Sequence, residues 1–356
     1  MTARAFWDLT PADLRERLAE LGEPAYRADQ LCRWVYQRFA RGYEEMTDLP
    51  ARLRGRLAVE LPLATAPVLA EQYSRDGSTR KALLQLDAGT SVESVLMQYD
   101  PTEQSRARAT VCVSTQAGCA MGCVFCATGQ QGFLRNLATR EIAQQVMHFA
   151  RELHSSGERL SNIVFMGMGE PLANYAATLR AVRILSDPLA FALGQRRITV
   201  STVGLVPQMR RLAAEGLQIG LAVSLHSPDD ALRHELVPTA RTSIAEILAA
   251  ADEYTVGTGR RYSVEYALID RTNDSLALAK DLAVLLRGRP CHVNLIPLNP
   301  TANGRMRRPS RQRVLAFERV LREGGANVTV RVEKGVEIAA ACGQLRGEQS
   351  GRRAAV

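Results

Sequence analysis

Residues 112–126 read CVSTQAGCAMGCVFC and hold four of the seven cysteines of this 356-residue chain. Cys119, Cys123 and Cys126 follow the spacing C-x3-C-x2-C, directly after the β-like run TVCVST. Structural zinc sites generally use four ligands in two separated pairs, whereas three clustered thiolates suit a four-iron cluster with one iron left open. The pattern therefore predicts an iron–sulfur loop, and a zinc site with Cys112 as fourth ligand stays open as the alternative.

The composition predicts a soluble protein of a reducing compartment. Hydrophobic residues make up 46% of the chain, and no apolar run approaches the ~20 residues that a membrane span needs. The start MTARAFWDLT lacks the basic and then apolar pattern of a signal peptide. An odd number of cysteines in such a protein is more typical of metal ligands and catalysts than of a disulfide framework. We therefore expect a cytoplasmic protein with no membrane partner.

The charge is positive and unevenly distributed. The net charge is +8, and residues 301–356 hold twelve Lys and Arg against five Asp and Glu, whereas residues 1–60 hold ten of each. A basic C-terminal segment suits a polyanionic partner such as RNA. Only three of the 45 basic residues are lysines, so GC-rich coding is an equally good explanation of the arginine excess.

Helical periodicity marks residues 1–65. Apolar residues recur at helical spacing over 10–22 and 25–39, which predicts two helices. Residues 66–105 read as a β-rich connecting segment, with two strand-like runs within 76–99. We therefore predict a small helical N-terminal accessory domain and a short β-containing connection.

Residues 106–300 alternate short apolar β runs with amphipathic helical stretches. The runs are TVCVST, NIVFMGMG, RITVSTVG, IGLAVSLH, YSVEYALI and HVNLIPLN. Continuous apolar runs are typical of parallel strands that are covered on both faces and joined by right-handed crossovers. Six such units predict an α/β fold, a partial (β/α)6 barrel, since eight would close a full one. Residues 301–356 form a basic C-terminal extension, with a helix near 309–323, a strand VTVRVEK and a glycine-flanked loop that holds Cys342.

Polar and glycine motifs follow four of these β runs, namely GMGE, STVG, SLH and LNP. In parallel β/α folds the carboxyl ends of the strands form the rim where binding and chemistry assemble. Each motif alone is an ordinary turn sequence. Four of them on one rim predict a shared binding site.

The cysteine loop and the rim motifs resemble the radical S-adenosylmethionine (SAM) superfamily, and within it the RlmN/Cfr group of RNA methyltransferases. The segments CVSTQAGCAMGCVFCATGQQGFLRNL, GMGEPLANY, STVGLVP, VSLHSP, NLIPLNP and AACGQL look like that group's motifs and stand in its order. The resemblance covers about residues 25–346. It implies a partial radical SAM barrel, a [4Fe-4S] cluster on Cys119, Cys123 and Cys126, and two SAM molecules per turnover.

The same resemblance implies three catalytic residues. Cys342 would accept a methyl group from one SAM and carry it to adenine, and Glu93 would remove a proton from the RNA adduct. Cys112 would release the product by forming a disulfide with Cys342. Judged without the resemblance, Cys112 lies in an apolar strand and is typical of a structural thiol, and Glu93 lies near a turn and is typical of a solvated glutamate.

The resemblance also implies the residues that contact SAM, all of them from the rim motifs. They are Gly169, Glu170, Ser201, Ser224, Leu225, His226 and Asn299. The Glu170 carboxylate would pair with the cationic amino group of SAM. Judged without the resemblance, His226 is more typical of a core histidine.

The implied reaction is methylation of adenine C2, at adenosine 2503 of 23S rRNA and adenosine 37 of some tRNAs. A flavodoxin or ferredoxin would donate electrons, and the enzyme would be a monomer. One alternative is methylation of C8 at the same rRNA adenosine, which confers antibiotic resistance. Another is a non-catalytic RNA-binding protein with a structural metal. The RNA surface is predicted on the N-terminal domain and on Arg305, Arg307 and Arg308.

Overall fold

The structure is a computed structural model that describes residues 5–101, 103, 106–239, 241–301, 304 and 306–347. Its strands are β1 (Val68–Tyr73), β2 (Thr79–Gln85), β3 (Ser91–Tyr99), β4 (Arg108–Cys112), β5 (Gln116–Gly118), β6 (Phe133–Asn136), β7 (Asn162–Phe165), β8 (Ile198–Thr202), β9 (Gly220–Ser224), β10 (Tyr262–Leu268), β11 (Cys291–Pro297) and β12 (Val328–Val330). Its α-helices are α1 (Pro11–Glu20), α2 (Tyr26–Cys32), α3 (Ala51–Glu60), α4 (Ala127–Gln131), α5 (Thr139–Ser155), α6 (Tyr175–Ser186), α7 (Val206–Ala214), α8 (Asp230–Leu236), α9 (Ile244–Thr258), α10 (Leu276–Leu286) and α11 (Arg311–Glu323).

Ten of the strands in the described part of the chain form one open sheet. Their order is β1-β2-β3-β4-β7-β8-β9-β10-β11-β12, and β5 and β6 form a separate hairpin. The six predicted barrel strands, β4, β7, β8, β9, β10 and β11, are present and parallel. The buried apolar side chains of the sheet and of the crossover helices form one continuous core. This arrangement confirms the predicted partial α/β barrel.

The C-terminal extension contributes a seventh parallel strand. β12 pairs with β11 in parallel, with Val293 opposite Val328 and Leu295 opposite Val330. The sequence predicted this strand but not its place in the sheet, because strand pairing depends on contacts distant in the chain. The extension is therefore structurally continuous with the barrel.

The connecting segment holds three strands instead of the two predicted. β1, β2 and β3 are antiparallel, and β3 also pairs antiparallel with β4, so that they extend the barrel sheet. All six residues of β1 are exposed. An edge strand with no buried side chain lacks the alternation from which strands are predicted, and β1 was missed for this reason.

The N-terminal domain is helical, as predicted, and packs against the barrel. Its core surrounds the fully buried Trp7 and includes Met147 of α5 and Ile184 of α6. The Arg140 backbone N–H donates to the Asp8 carboxylate at 2.9 Å. The second predicted helix, over 25–39, is α-helical only to the end of α2 and continues as a π-helical turn.

Candidate active site

The cysteine loop is fastened at its start by a close backbone approach. Gly118 has φ +73°, and a Cβ there would lie 2.0 Å from the Gly132 carbonyl oxygen. The Cys119 N–H donates to that same oxygen at 2.8 Å. Only glycine fits this position, so the backbone itself sets where the first thiol enters the loop.

Cys119, Cys123 and Cys126 are half-buried and line one cavity, the first cavity, at the rim of the barrel. Among the described residues, no group of three or more His, Cys, Asp or Glu is arranged around a single metal ion. In a four-iron cluster each thiolate binds a different iron, so three thiols that do not surround a single point are compatible with a cluster. Burial raises the pKa of Cys119 to about 12, so a positive iron is needed to hold it as a thiolate.

The first cavity holds about 960 Å³ of space free of protein atoms, which includes space open to solvent. Six of the seven predicted SAM residues line it, namely Gly169, Glu170, Ser201, Ser224, His226 and Asn299. The exception is Leu225, whose side chain is fully buried in the barrel core. The strand ends thus bring the rim motifs to the cysteine loop.

Glu170 is buried beneath the first cavity. Its carboxylate accepts hydrogen bonds from the backbone N–H groups of Val203, at 2.9 Å, and Leu172, at 3.0 Å. Burial outweighs these bonds and raises the pKa of Glu170 to about 7. A cationic group in the cavity would favour the ionised form, which agrees with the predicted pairing to an ammonium group.

His226 has a fixed tautomer. Its Nδ1 accepts the Ala267 N–H at 3.0 Å, and burial lowers the pKa of the ring to about 3. The neutral ring must then carry its proton on Nε2, which leaves one N–H donor. The Phe125 ring, between the last two loop cysteines, packs edge-on against the imidazole with 4.8 Å between the centroids.

Asn299 joins the first cavity to the C-terminal loop. Its Nδ2 donates to the Cys342 carbonyl at 3.2 Å, while its buried Oδ1 has no hydrogen-bond partner in the described protein. A buried acceptor without a partner is rare in folded proteins. A ligand donor in the cavity would satisfy it.

Cys342 lies on the wall shared by two cavities. It lines the first cavity and also a second cavity, which has Cys112, Arg331 and Glu333 on its walls. Cys112 lines only the second cavity, whereas Cys126 lines both. Burial raises the pKa of Cys342 to about 11 and that of Cys112 to about 12. All seven cysteines lie within the described residues and are free thiols.

Backbone contacts hold the Cys342 loop against the cysteine loop and the rim. The Ala127 N–H donates to the Gly343 carbonyl at 2.7 Å, and the Thr128 hydroxyl donates to the Leu345 carbonyl at 2.7 Å. The Gln344 amide donates to the Pro300 carbonyl at 2.8 Å. These bonds position Cys342 beside the predicted cluster.

Glu93 is buried on β3, contrary to the solvated position that the turn suggested. One carboxylate oxygen pairs with the Lys81 ammonium at 2.9 Å, and the other accepts the Arg346 backbone N–H at 2.7 Å. Glu93 lines neither cavity. In the described conformation this predicted base therefore contacts the segment that follows Cys342 but does not face either cavity.

Three charged residues at the site were missed from the sequence. Lys81 and Glu265 each lie inside a strand, and Arg331 directly follows β12 and lines both cavities. Glu265 lines the first cavity and accepts hydrogen bonds from the Ser263 hydroxyl, at 2.7 Å, and the Asn294 amide, at 2.8 Å. A charge inside a largely apolar strand was the available signal for Glu265, whereas Lys81 follows Arg80 in a strand that begins with polar residues and was not marked out. No sequence signal marked out Arg331, because arginines are common throughout this chain.

Two of the arginines predicted for RNA contact, Arg307 and Arg308, are exposed. Arg305 lies outside the described residues. No helix in the described part of the chain is long and apolar enough to cross a membrane.

Comparison with known proteins decides the family. Residues 5–61 match the ribosomal RNA large subunit methyltransferase N-terminal domain, and residues 113–279 match the radical SAM superfamily. A ribosomal RNA large subunit methyltransferase N from Nitrosopumilus maritimus is 50% identical over 341 residues, which cover 95% of this chain and 97% of the relative. The chain belongs to the RlmN family.

Further RlmN-family relatives agree with this assignment. A probable dual-specificity RNA methyltransferase RlmN from Frankia casuarinae is 54% identical, over 97% of this chain and 83% of the relative. The crystal structure of a radical SAM methyltransferase from Sphaerobacter thermophilus is 52% identical and superposes with a TM-score of 0.92, over 97% of this chain and 100% of that one. As a family member, the chain is a radical SAM-dependent RNA methyltransferase that uses SAM and an iron–sulfur cluster. The predicted enzyme class is confirmed, and the non-catalytic alternative is wrong.

Proposed function

We propose that this RlmN-family enzyme methylates C2 of adenosine 2503 in 23S rRNA and of adenosine 37 in some tRNAs, with the methyl group carried on Cys342. The position of Cys342 on the wall between two cavities carries the proposal. The first cavity brings together the cluster thiols and the SAM-motif residues, and the second contains Cys112. A group on the Cys342 sulfur is therefore next to both.

In this proposal Cys119, Cys123 and Cys126 hold a [4Fe-4S] cluster, and each turnover uses two SAM molecules. When bound, the cluster and SAM would supply radical chemistry, which the reaction requires because C2 of adenine has no lone pair for direct displacement. Glu170 binds the SAM ammonium group, and the Asn299 Oδ1 accepts a hydrogen bond from SAM. Further elements of the proposal are a flavodoxin or ferredoxin as electron donor, a monomeric enzyme and a cytoplasmic location.

Cys342 acts first as a nucleophile and then as a carrier. Its thiolate takes the methyl group of one SAM, and removal of a hydrogen atom from that methyl leaves a carbon radical, which bonds to adenine C2. The unpaired electron that this leaves on the ring would return to the cluster from which the electron for SAM cleavage came. The Glu93 carboxylate accepts the proton that C2 loses. The Cys112 thiolate then attacks the Cys342 sulfur, the S–S bond forms, and the C–S electron pair leaves with the carbon, which takes up a proton to become methyl.

The regiochemistry is tested on the RNA product. Protein reconstituted with iron and sulfide under anaerobic conditions, given SAM, reductant and 23S rRNA fragments or tRNA, should yield 2-methyladenosine after complete digestion. Mass spectrometry against both standards separates this nucleoside from 8-methyladenosine. A digest that contains 8-methyladenosine instead would overturn C2 methylation but would leave the proposed roles of the residues unchanged.

The Cys112→Ala variant tests the role of the second thiol. It should keep its iron and accumulate RNA joined to Cys342, because a thioether has no good leaving group until a thiolate attacks the sulfur. The readout is nuclease-sensitive extra mass on the Cys342 peptide, compared with Cys32→Ala in the N-terminal core. Loss of iron from Cys112→Ala would instead identify Cys112 as a metal ligand.

A further inference from the structure

One buried ion pair fastens the Cys342 loop at both ends. The Lys81 ammonium binds the Glu93 carboxylate at 2.9 Å and also donates to the Ala339 carbonyl at 3.2 Å, before Cys342. The Arg346 N–H donates to the other Glu93 oxygen at 2.7 Å, after Cys342. Lys81 and Glu93 thus form a clasp, and the segment 339–346 is what it holds.

Burial makes this pair unusual. The Lys81 and Glu93 side chains are each only 9% exposed. Desolvation of two charges offsets most of their attraction, so a buried ion pair contributes little net stability while fixing relative positions closely. The clasp therefore serves mainly to fix the positions of Lys81, Glu93 and the segment 339–346 relative to one another, and adds little to the free energy of folding.

Lys334 makes a further contact between the C-terminal segment and the connecting strands. The Lys334 ammonium, on the approach to the loop, donates to the Ser78 hydroxyl and to the Gln98 carbonyl, each at 2.8 Å. The chain has only three lysines among 45 basic residues. Two of them, Lys81 and Lys334, lie between the connecting strands and the C-terminal segment.

While the clasp is closed, Glu93 is buried and is not reached from either cavity. Both of its oxygens have donors, and it lines neither cavity. Withdrawal of the segment 339–346 would take the Arg346 N–H away from one oxygen. Lys81 belongs to β2 and would stay, holding the other oxygen in place.

We propose that Lys81 is a positioning residue that links the Glu93 base to the Cys342 loop, so that displacement of the loop frees one Glu93 oxygen while Lys81 holds the other. This inference rests on the proposed role of Glu93 as the base. It assigns Lys81 to the RNA half of the reaction. Methylation of Cys342 itself depends on the separate contacts of the loop with Ala127, Thr128 and Pro300.

The test compares Lys81→Met, which keeps the side-chain length and removes the charge, with Lys280→Met on the exposed side of α10. In Lys81→Met, methylation of Cys342 in the absence of RNA should stay within about twofold of wild type. Release of methylated RNA should fall on the order of 10- to 100-fold, as expected when a reacting group is misplaced. RNA joined to the Cys342 peptide should accumulate, and Lys81→Arg should restore most of the release. Lys280→Met should match wild type.

Two outcomes would overturn the inference. One is wild-type RNA release by Lys81→Met without any adduct. The other is an equal loss of Cys342 methylation and RNA release in Lys81→Met, which would make Lys81 a structural residue only. Wild-type protein that methylates no RNA would contradict the proposed function itself, which separates the two failures.

Glu93→Gln tests the clasp without activity, and decides the matter if Lys81→Met does not fold. An amide carries no charge to pair with Lys81, and the bond from the Arg346 N–H to a neutral oxygen is weaker than one to a carboxylate, so the hold on the segment 339–346 should weaken. Amide hydrogen exchange in that segment should rise by at least about tenfold, the change expected for losing a hydrogen bond to a charged group. Unchanged exchange would overturn the clasp.

Discussion

At the scale of single residues, the cysteine loop depends on one glycine. Gly118 has φ +73°, and its α-carbon faces the Gly132 carbonyl oxygen so closely that any side chain would collide with it. Gly157, at the end of α5, has a similar φ of +75° but open space where a Cβ would be. Both positions require a positive φ, but only at Gly118 would a Cβ collide with a neighbouring atom.

Gly118→Ala should therefore disrupt the cluster site, because the loop must shift to relieve the contact with Gly132. We expect iron content after anaerobic reconstitution to fall well below wild type, together with a free energy of unfolding reduced by more than the ~1 kcal/mol of a strained backbone alone. Gly157→Ala should lose only about that amount and keep its iron. Equal iron content in the two variants would show that the loop tolerates the displacement.

The sequence predicts local features of the site better than distant ones. Cys119, Cys123 and Cys126 share one short loop, so their spacing alone predicts a cluster and does not depend on the fold. The partners of Glu93 are different, since Lys81 is on another strand and Arg346 is 253 residues away. Such contacts arise from strand pairing and chain reversal, which local patterns do not encode.

At the scale of elements, the sheet continues through a strand of only three residues. β12 is supported from one side by β11 and from outside by α11, whose Phe317 is fully buried with its ring 5.4 Å from that of Tyr266. Arg331 follows β12 directly and enters the wall of both cavities. Packing of α11 therefore helps to set the shape of the site.

Phe317→Ala should lower the free energy of unfolding by about 3–5 kcal/mol, because it removes a large buried side chain and leaves a cavity. Leu315→Ala on the same helix, where the side chain is 51% exposed, should change it by no more than about 0.5 kcal/mol. Urea denaturation of both variants measures the difference. Similar losses in the two would mean that α11 contributes through helix formation and not through packing.

At the scale of the whole molecule, the N-terminal domain shares its core with the barrel. Met147 of α5 and Ile184 of α6 are fully or almost fully buried within the cluster around Trp7. The domain is also held by the ion pair between Asp8 and Arg140, at 3.1 Å. A predicted RNA-binding domain is thus attached rigidly to the catalytic barrel through apolar packing.

Ile184→Asp should release this attachment, since an unpaired carboxylate cannot be buried there without a large penalty. Limited proteolysis should then cut the chain between α3 and β1 faster than in wild type, with the barrel fragment kept. Val284→Asp, at a position 62% exposed on α10, is the control and should be cut at the wild-type rate. Equal cleavage would show that the two regions are joined chiefly by other contacts.

The segment that carries Cys342 also spans the open side of the barrel. It runs from the edge strand β12 to β2 and β3, where Gly335 approaches Thr79 so closely that a Cβ would lie 2.7 Å from its methyl carbon. This segment therefore connects the two sides of the opening. In the proposed mechanism, displacement of this segment would open the side of the barrel and move Cys342 together with it. If Cys342 carries the methyl group as proposed, entry of the adenine base and transfer of the carbon would then be coupled through one segment.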